Sequence, residues 1–223
     1  MAGSESALIV GAGSGLSASL ARLLAKDGFR VALAARNPGK LSGLSKETGA
    51  LALACDATDP AQVEAAFAAV EKKWGVPDLV VYNASYRARG ALIDLDPGEV
   101  RKTMEVSAYG GFLVAQAAAK RMLARGSGAI FFTGASASVK GYAGSAPFAM
   151  GKFALRGLAQ SMARELAPRG IHVGHFVIDG RIQKGDDSTL DPDEIARTYL
   201  HAYRQQRSAW SWEIELRPWV EKF

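Results

Sequence analysis

The stretch Ala7-Leu8-Ile9-Val10-Gly11-Ala12-Gly13-Ser14-Gly15-Leu16-Ser17 runs from an apolar, strand-like segment through a glycine-rich turn into the helical pattern Leu20, Leu23, Leu24. Strand, glycine turn and helix in that order make a cradle for the diphosphate of a dinucleotide. Gly11 permits the tight turn, Gly15 removes a side chain that would hold a pyrophosphate off the backbone, and the helix aims unpaired N–H groups at the anion. The spacing reads as GxxxGxG with Ser17 in the last place, where serine is still small enough for close packing of helix on strand. By itself the pattern also fits a glycine-rich turn with no ligand.

Outward from this junction, strand and helix alternate to the end of the chain. Strands are predicted at Val31 to Ala35, Leu51 to Asp56, Leu79 to Asn83, Ala129 to Thr133, Ile171 to Ile178 and Glu213 to Leu216. Between them, helices are predicted at Pro38 to Gly49, Pro60 to Trp74, Pro97 to Arg125, Phe148 to Ala167 and Pro192 to Gln206. Asp59-Pro60, Asp96-Pro97 and Asp191-Pro192 each set an acidic cap before a proline at the first helical position. A Gln or Glu three residues after each cap is placed to reach back to the cap N–H. This rhythm implies a parallel sheet covered by helices, and no linker or repeat divides residues 1–223, so one domain is expected.

The composition is that of a globular protein: 48% hydrophobic and 22% charged over 223 residues. No apolar run reaches membrane-helix length, and Met1 to Ser6 has no charged region followed by a hydrophobic one, so a cytoplasmic protein without membrane contact is expected. The single cysteine, Cys55, reads as a buried small hydrophobe. A net charge of +5 is spread through every helix with no basic segment interleaved with aromatics, which argues against nucleic acid and suits a ligand carrying several phosphates. His172, His175 and His201 lack ligand spacing, and the first two fall on opposite faces of a strand, so no metal site is expected.

The glycine turn, Asp56 ending strand three, Tyr82-Asn83-Ala84-Ser85 ending strand four and Lys152 in the helix after strand five together resemble the short-chain dehydrogenase/reductase family, over nearly the whole chain. Where that family usually reads NNAG, Asn83 and Ala84 match while Tyr82 and Ser85 depart. The resemblance implies an α/β, doubly wound Rossmann fold of about seven parallel strands with helices on both faces. It implies cofactor contacts at Gly11, Gly13, Ser14, Gly15, Leu16, Arg36, Asp56, Ala57, Asn83, Ala84, Lys152, Gly180 and Ile182. Asp56 is equally suited to capping a turn.

An NAD site offers an acid about 20 residues beyond the phosphate turn. Ala35 stands there, followed by Arg36, whose guanidinium can pair with a 2′-phosphate, so NADP(H) is favoured; the bland alternative is a solvated charge. The family's chemistry rests on a tyrosine in YxxxK, and this chain reads Phe148-Ala149-Met150-Gly151-Lys152. Phenylalanine has no proton to exchange. The family's serine falls on Ala135, beside Ser136, and its asparagine on Ser107. Lys152 alone keeps its type, and its ribose contact survives without a tyrosine.

Tyr142 and Ser136 are the candidate replacement proton donors beside Lys152, with Ser138 and Asp179 further candidates. The bland reading has the serines satisfying loop backbone and Tyr142 lining the pocket. The segment 181–189 is short and polar and points to a small or polar substrate, while Arg87 and Arg89, in the loop after strand four, are candidates to attract a carboxylate or phosphate, with solvated loop charges the favoured alternative. Trp210, Trp212, Trp219 and Phe223 either cover the last strand or meet a second subunit, and the resemblance favours a homodimer or homotetramer. Two functions follow: an NADP-dependent oxidoreductase acting on a carbonyl or alcohol with a non-standard proton donor, or a catalytically degenerate NADP(H)-binding sensor or regulatory subunit.

Overall fold

In the computed structural model, which describes residues 5–221, seven parallel strands lie in the order β3-β2-β1-β4-β5-β6-β7. They are β1 (Ser6–Val10), β2 (Arg30–Ala35), β3 (Leu51–Ala54), β4 (Leu79–Tyr82), β5 (Gly128–Thr133), β6 (Ile171–Ile178) and β7 (Glu213–Leu216). The helices are α1 (Leu16–Lys26), α2 (Ser42–Thr48), α3 (Pro60–Trp74), α4 (Pro97–Met104), α5 (Gly110–Arg125), α6 (Ala146–Leu166) and α7 (Pro192–Tyr203). The doubly wound fold expected from the sequence is therefore present.

Side-chain alternation along each strand feeds two cores. Leu8 and Val10 of β1, Val80 and Tyr82 of β4, and Ile130 and Phe132 of β5 pack with Val63, Val114 and Leu155 of α3, α5 and α6. Their neighbours Ile9, Val81 and Phe131 pack with Leu20, Leu24, Ile195 and Tyr199 of α1 and α7. A strand buried on both faces must be apolar at every position, which is why these strands read as continuous hydrophobic runs. Tyr82, Phe131, Phe132 and Phe176 are fully enclosed, each worth roughly 1.5–3 kcal/mol of burial. The chain winds outward from β1 to β3 and then crosses back to place β4 against the other side of β1. Ligands bind at such a reversal, outside the carboxyl ends of the strands.

The structure corrects several boundaries. The helix expected over 38–49 is a 3₁₀ turn, Pro38–Leu41, capped by the Asn37 side chain and followed by α2, which Gly49 ends at φ +69°. α6 begins at Ala146, ahead of Phe148, and α7 stops at Tyr203. The long helix over 97–125 is interrupted by a π-helical turn, Glu105–Tyr109. Its cause lies beneath it: the Tyr82 hydroxyl donates to the Val106 carbonyl, and Gly110 and Gly111 pass so close to Tyr82 and Leu155 that a Cβ there would meet them at 2.6 and 2.5 Å. A widened turn frees carbonyls from the helical ladder, and here the phenol takes one.

The three acidic caps accept backbone N–H groups as expected: Asp59 from Ala61 and Gln62, Asp96 from Glu99, Asp191 from Asp193. The reciprocal half of the capping box does not form. Gln62 accepts from the Asp56 N–H at 2.9 Å, Glu99 takes the Tyr86 hydroxyl, and Glu194 pairs with Arg197. In each case the side chain takes another partner, and the Asp59 N–H itself donates to the Asp56 carbonyl at 3.1 Å.

Candidate functional site

The glycine turn leaves β1 at the switch point. Gly11 and Ala12 donate to the Ala34 carbonyl at 2.9 and 3.0 Å, which ties the turn to β2. Gly11 has φ +83°, and a Cβ on it would stand 2.2 Å from the Ala84 N, so only glycine fits. Gly13 and Gly15 face open space, with nothing within 4 Å of a built Cβ. Among the described residues, no acceptor meets the N–H groups of Gly13, Ser14, Gly15, Leu16 and Ser17, and the first turn of α1 carries no acid. This is a cradle with its donors free, and it suits an anion.

Ser17 does more than stay small. Its hydroxyl accepts from Asn83 Nδ2 at 2.6 Å and reaches the Gly11 carbonyl at 3.4 Å, so Asn83 at the end of β4 braces the turn from below.

From the turn a cavity of about 550 Å³ extends along the carboxyl ends of β1, β2 and β4, lined by Gly11, Gly13, Ser14, Arg36, Asp56, Ala57, Asn83 and Ala84 of the expected contacts. Gly15 and Leu16 are not in that lining: the Leu16 side chain is buried beneath α1 and only its N–H is available. Arg36 and Lys40 both line this cavity, and Ala35, the last residue of β2, carries no charge. The sequence reading missed Lys40. The 3₁₀ turn capped by Asn37 brings it back beside Arg36, and a second cation four residues on was the available signal. Asp56 lines the same cavity, yet its Oδ1 accepts from the Thr58 N–H and hydroxyl at 3.0 and 2.8 Å, so it caps its turn while facing the site. Burial pushes the Cys55 thiol up to about 11, keeping it protonated at neutral pH.

A second cavity, of about 210 Å³, lies beyond the end of β5 and is lined by Arg87, Ala135, Ser136, Tyr142, Phe148, Gly180 and Ile182, among others. The structure thus brings Ser136 and Tyr142 together with Phe148, and sets Gly180 and Ile182 here rather than at the phosphate turn. Lys152 lines neither cavity. It is buried in α6, its Nζ donates to the Thr133 carbonyl at 2.7 Å, and burial lowers its pKa to about 8. Ser107 sits in the π turn and bonds the Tyr86 backbone at 3.3 and 3.4 Å.

Asp179, a candidate proton donor by sequence, is corrected by its surroundings. Burial alone would raise its pKa, but hydrogen bonds from Ser136 and Lys140 and the charges of Lys140 and Arg217 outweigh that and hold it below the usual carboxylate range. It is ionised and has no proton to give. Ser138 donates nothing to the cavity either; it is buried and accepts from the Ala135 N–H at 3.1 Å, a loop-satisfying role.

The two strand histidines point to opposite sides of β6. His172 stacks on Trp210 with ring centroids 4.8 Å apart, and His175 meets Glu213 at 3.1 Å, itself paired with Arg156. Among the described residues no group of three His, Cys, Asp or Glu side chains could hold a metal ion. Trp210 and Trp212 are half-buried, the first against His172 of β6 and the second under Arg156, Trp219 is exposed, and Phe223 lies outside the described residues.

A doubly wound parallel sheet with a bare glycine turn, free helix N–H groups and two cations lining one cleft defines a dinucleotide-binding α/β protein. Residues 5–179 match the family model of the short chain dehydrogenases, and the chain belongs to that family. It is 31% identical over 188 residues to the 3-oxoacyl-[acyl-carrier-protein] reductase MabA of Mycobacterium tuberculosis, covering 84% of this chain and 73% of the relative. It is similar in structure to a short-chain dehydrogenase from Rhodopseudomonas palustris, with 35% identity, a TM-score of 0.87 and coverage of 96% and 99%. The actinorhodin polyketide ketoreductase, solved with NADPH, shares the fold at 24% identity with a TM-score of 0.91, covering 99% of this chain and 98% of that one.

Proposed function

We propose that the chain is an NADP(H)-dependent oxidoreductase interconverting a carbonyl and an alcohol on a small molecule, with the proton passing through a group other than side chain 148. The observation that carries this reading is the pair Arg36 and Lys40 lining the same cleft as the glycine turn, with no acid at Ala35 to repel a 2′-phosphate. Gly13, Ser14, Gly15 and Leu16 would receive the diphosphate on their N–H groups. Asp56, Ala57 and Ala84 would wall the adenosine side, with Asn83 bracing the turn. Gly180 and Ile182 would face the nicotinamide end. Bound NADP(H) supplies or accepts the hydride.

In the reducing direction the substrate carbon gains the hydride and its oxygen needs a proton. Tyr142 is the group best placed to give it: its side chain lines the second cavity and is 48% exposed, so solvent can reprotonate the phenol. Ser136 lines the same cavity, but it stands beside the ionised Asp179. Lys152 adds positive charge behind Phe148, its Nζ 5.8 Å from the ring centroid.

The second reading, a catalytically degenerate NADP(H) binder, is favoured by one specific contact: Lys152 is committed to the Thr133 carbonyl, and the side chain four residues before it has no hydroxyl. Separate titrations with NADPH and NADH, followed by turnover over aldehydes, ketones and quinones, decide between the two. Tight NADPH binding with turnover supports the enzyme, and tight binding with none anywhere supports the sensor. No affinity for either nucleotide refutes both.

The same reading takes residues 1–223 as one cytoplasmic domain acting on a small molecule, without nucleic acid or membrane. Several basic side chains are paired, as in Arg22 with Glu47 and Arg121 with Glu64 and Glu71, and no described helix is long and apolar enough to cross a membrane. A homodimer or homotetramer is supported by Tyr109, Phe112, Met150 and Phe153, large apolar side chains exposed on the π turn, α5 and α6.

A further inference from the structure

Arg87 lies in the loop after β4, a place where sequence alone reads a solvated charge. Arg87 is exposed, and its guanidinium carbon sits 4.6 Å from the centroid of the Phe148 ring. Arg87 is the one charged side chain among the residues lining the 210 Å³ cavity. Among the described residues no carboxylate pairs with it, and its charged neighbour is another cation, Arg89. The buried acid Asp179, at the end of β6, is already held by Lys140 and Arg217. Lys152 approaches the same phenylalanine at 5.8 Å and adds to the positive field. A guanidinium over an aromatic face is fixed in position without using its N–H donors, so the fork that matches a carboxylate stays free.

These observations describe an anchored cation with empty donors in a small cavity. A volume of 210 Å³ is below the range of roughly 300–1,000 Å³ that holds drug-sized ligands, which limits the occupant to a few heavy atoms. We propose that the cavity takes a small oxo acid or its hydroxy-acid counterpart, whose carboxylate pairs with the Arg87 guanidinium while its carbonyl or alcohol faces Tyr142. The proposal names the substrate class of the site already described and rests on the oxidoreductase reading. Through the reaction the carboxylate is unchanged: the carbonyl carbon gains a hydride from the nucleotide, its oxygen gains a proton, and the acid leaves as the alcohol.

The test compares 2-oxobutanoate with its methyl ester, which keeps the ketone and loses the charge. Both are titrated calorimetrically onto the protein with NADPH and again without nucleotide. The acid is expected to bind at least about tenfold more tightly than the ester, the size of one charge-assisted contact. Arg87→Gln should erase that preference, while Arg89→Gln, which removes the same charge outside the cavity lining, should keep it. Thermal melts of both variants check that they fold. Equal affinity for acid and ester, or equal loss in the two variants, overturns the proposal. Failure of NADPH itself to bind strikes the cofactor reading instead, and the titration without nucleotide still reads the carboxylate site.

Discussion

Reversing the charge at Arg36 is the sharpest probe of the cofactor assignment. Arg36 and Lys40 line the cleft and both are exposed, so their attraction for a phosphate acts through a dielectric close to that of water. One unit-charge pair at about 4 Å is then worth about 1 kcal/mol, and a phosphomonoester carries roughly 1.5 to 2 negative charges at neutral pH. Removing the positive charge therefore costs about 1.5–2 kcal/mol, and Arg36→Glu about twice that, or roughly a hundred- to a thousandfold in NADPH affinity. NADH has no charge at that position, so its affinity should shift by only a few-fold. Nucleotide fluorescence titrations of both cofactors, at low salt and near 0.5 M, give the measurement. Salt should erode the wild-type preference for NADPH, because exposed pairs are screened. Equal weakening of NADPH and NADH by Arg36→Glu, or a wild-type protein indifferent to the 2′-phosphate, would refute the reasoning.

The glycine turn separates structure from ligand binding: Gly11→Ala places a Cβ 2.2 Å from the Ala84 N at φ +83° and should cost about 2–5 kcal/mol of stability, seen as a lowered melting temperature. Gly13→Ala meets nothing within 4 Å, so it should melt like wild type yet bind NADPH more weakly, its methyl intruding on the cradle; unchanged affinity would argue against a diphosphate there. Phe148→Tyr restores a phenol to the second cavity and should raise any carbonyl reduction by roughly 10- to 100-fold, the low end for a general acid because Lys152 remains on the Thr133 carbonyl; no gain with nucleotide binding intact would count against a competent site. Burial, against the opposing pull of Glu213, holds His175 down to about 4 from an ordinary 6.5. Between those values the unfolded chain binds more protons than the folded one, so stability should fall by up to about 3 kcal/mol as the pH drops from 6.5 to 4, and urea melts of His175→Gln should lack that slope.

What was legible in the sequence is what local chemistry decides. An apolar run entering a glycine turn, or aspartate before proline, settles a strand end or a helix start within a few residues. Repeating such signals implied a parallel sheet covered by helices, and the doubly wound order came from the family resemblance. The π turn was not legible, because its cause is a phenol on β4 reaching a carbonyl on the following helix past two glycines. Nor were the true partners of Gln62, Glu99 and Glu194, since a capping box competes with whatever tertiary neighbours the fold supplies.

The second cavity shows the same limit most clearly. Phe148 reads, in sequence, as a loss: a position that has given up its hydroxyl. In the fold the unsubstituted ring offers a π face to a cation, and Arg87, from a different crossover, occupies it. A single chain sequence shows the missing hydroxyl at once but cannot show which loop will cover the ring that remains. On this account the phenylalanine and the arginine form one unit: without the ring, the guanidinium has no fixed place in the cavity, and without the guanidinium, the cavity has no charge to select a substrate. Phe148→Leu should therefore weaken carboxylate binding much as Arg87→Gln does, although it removes no charge, and a leucine variant that kept the full preference for acid over ester would separate the two residues.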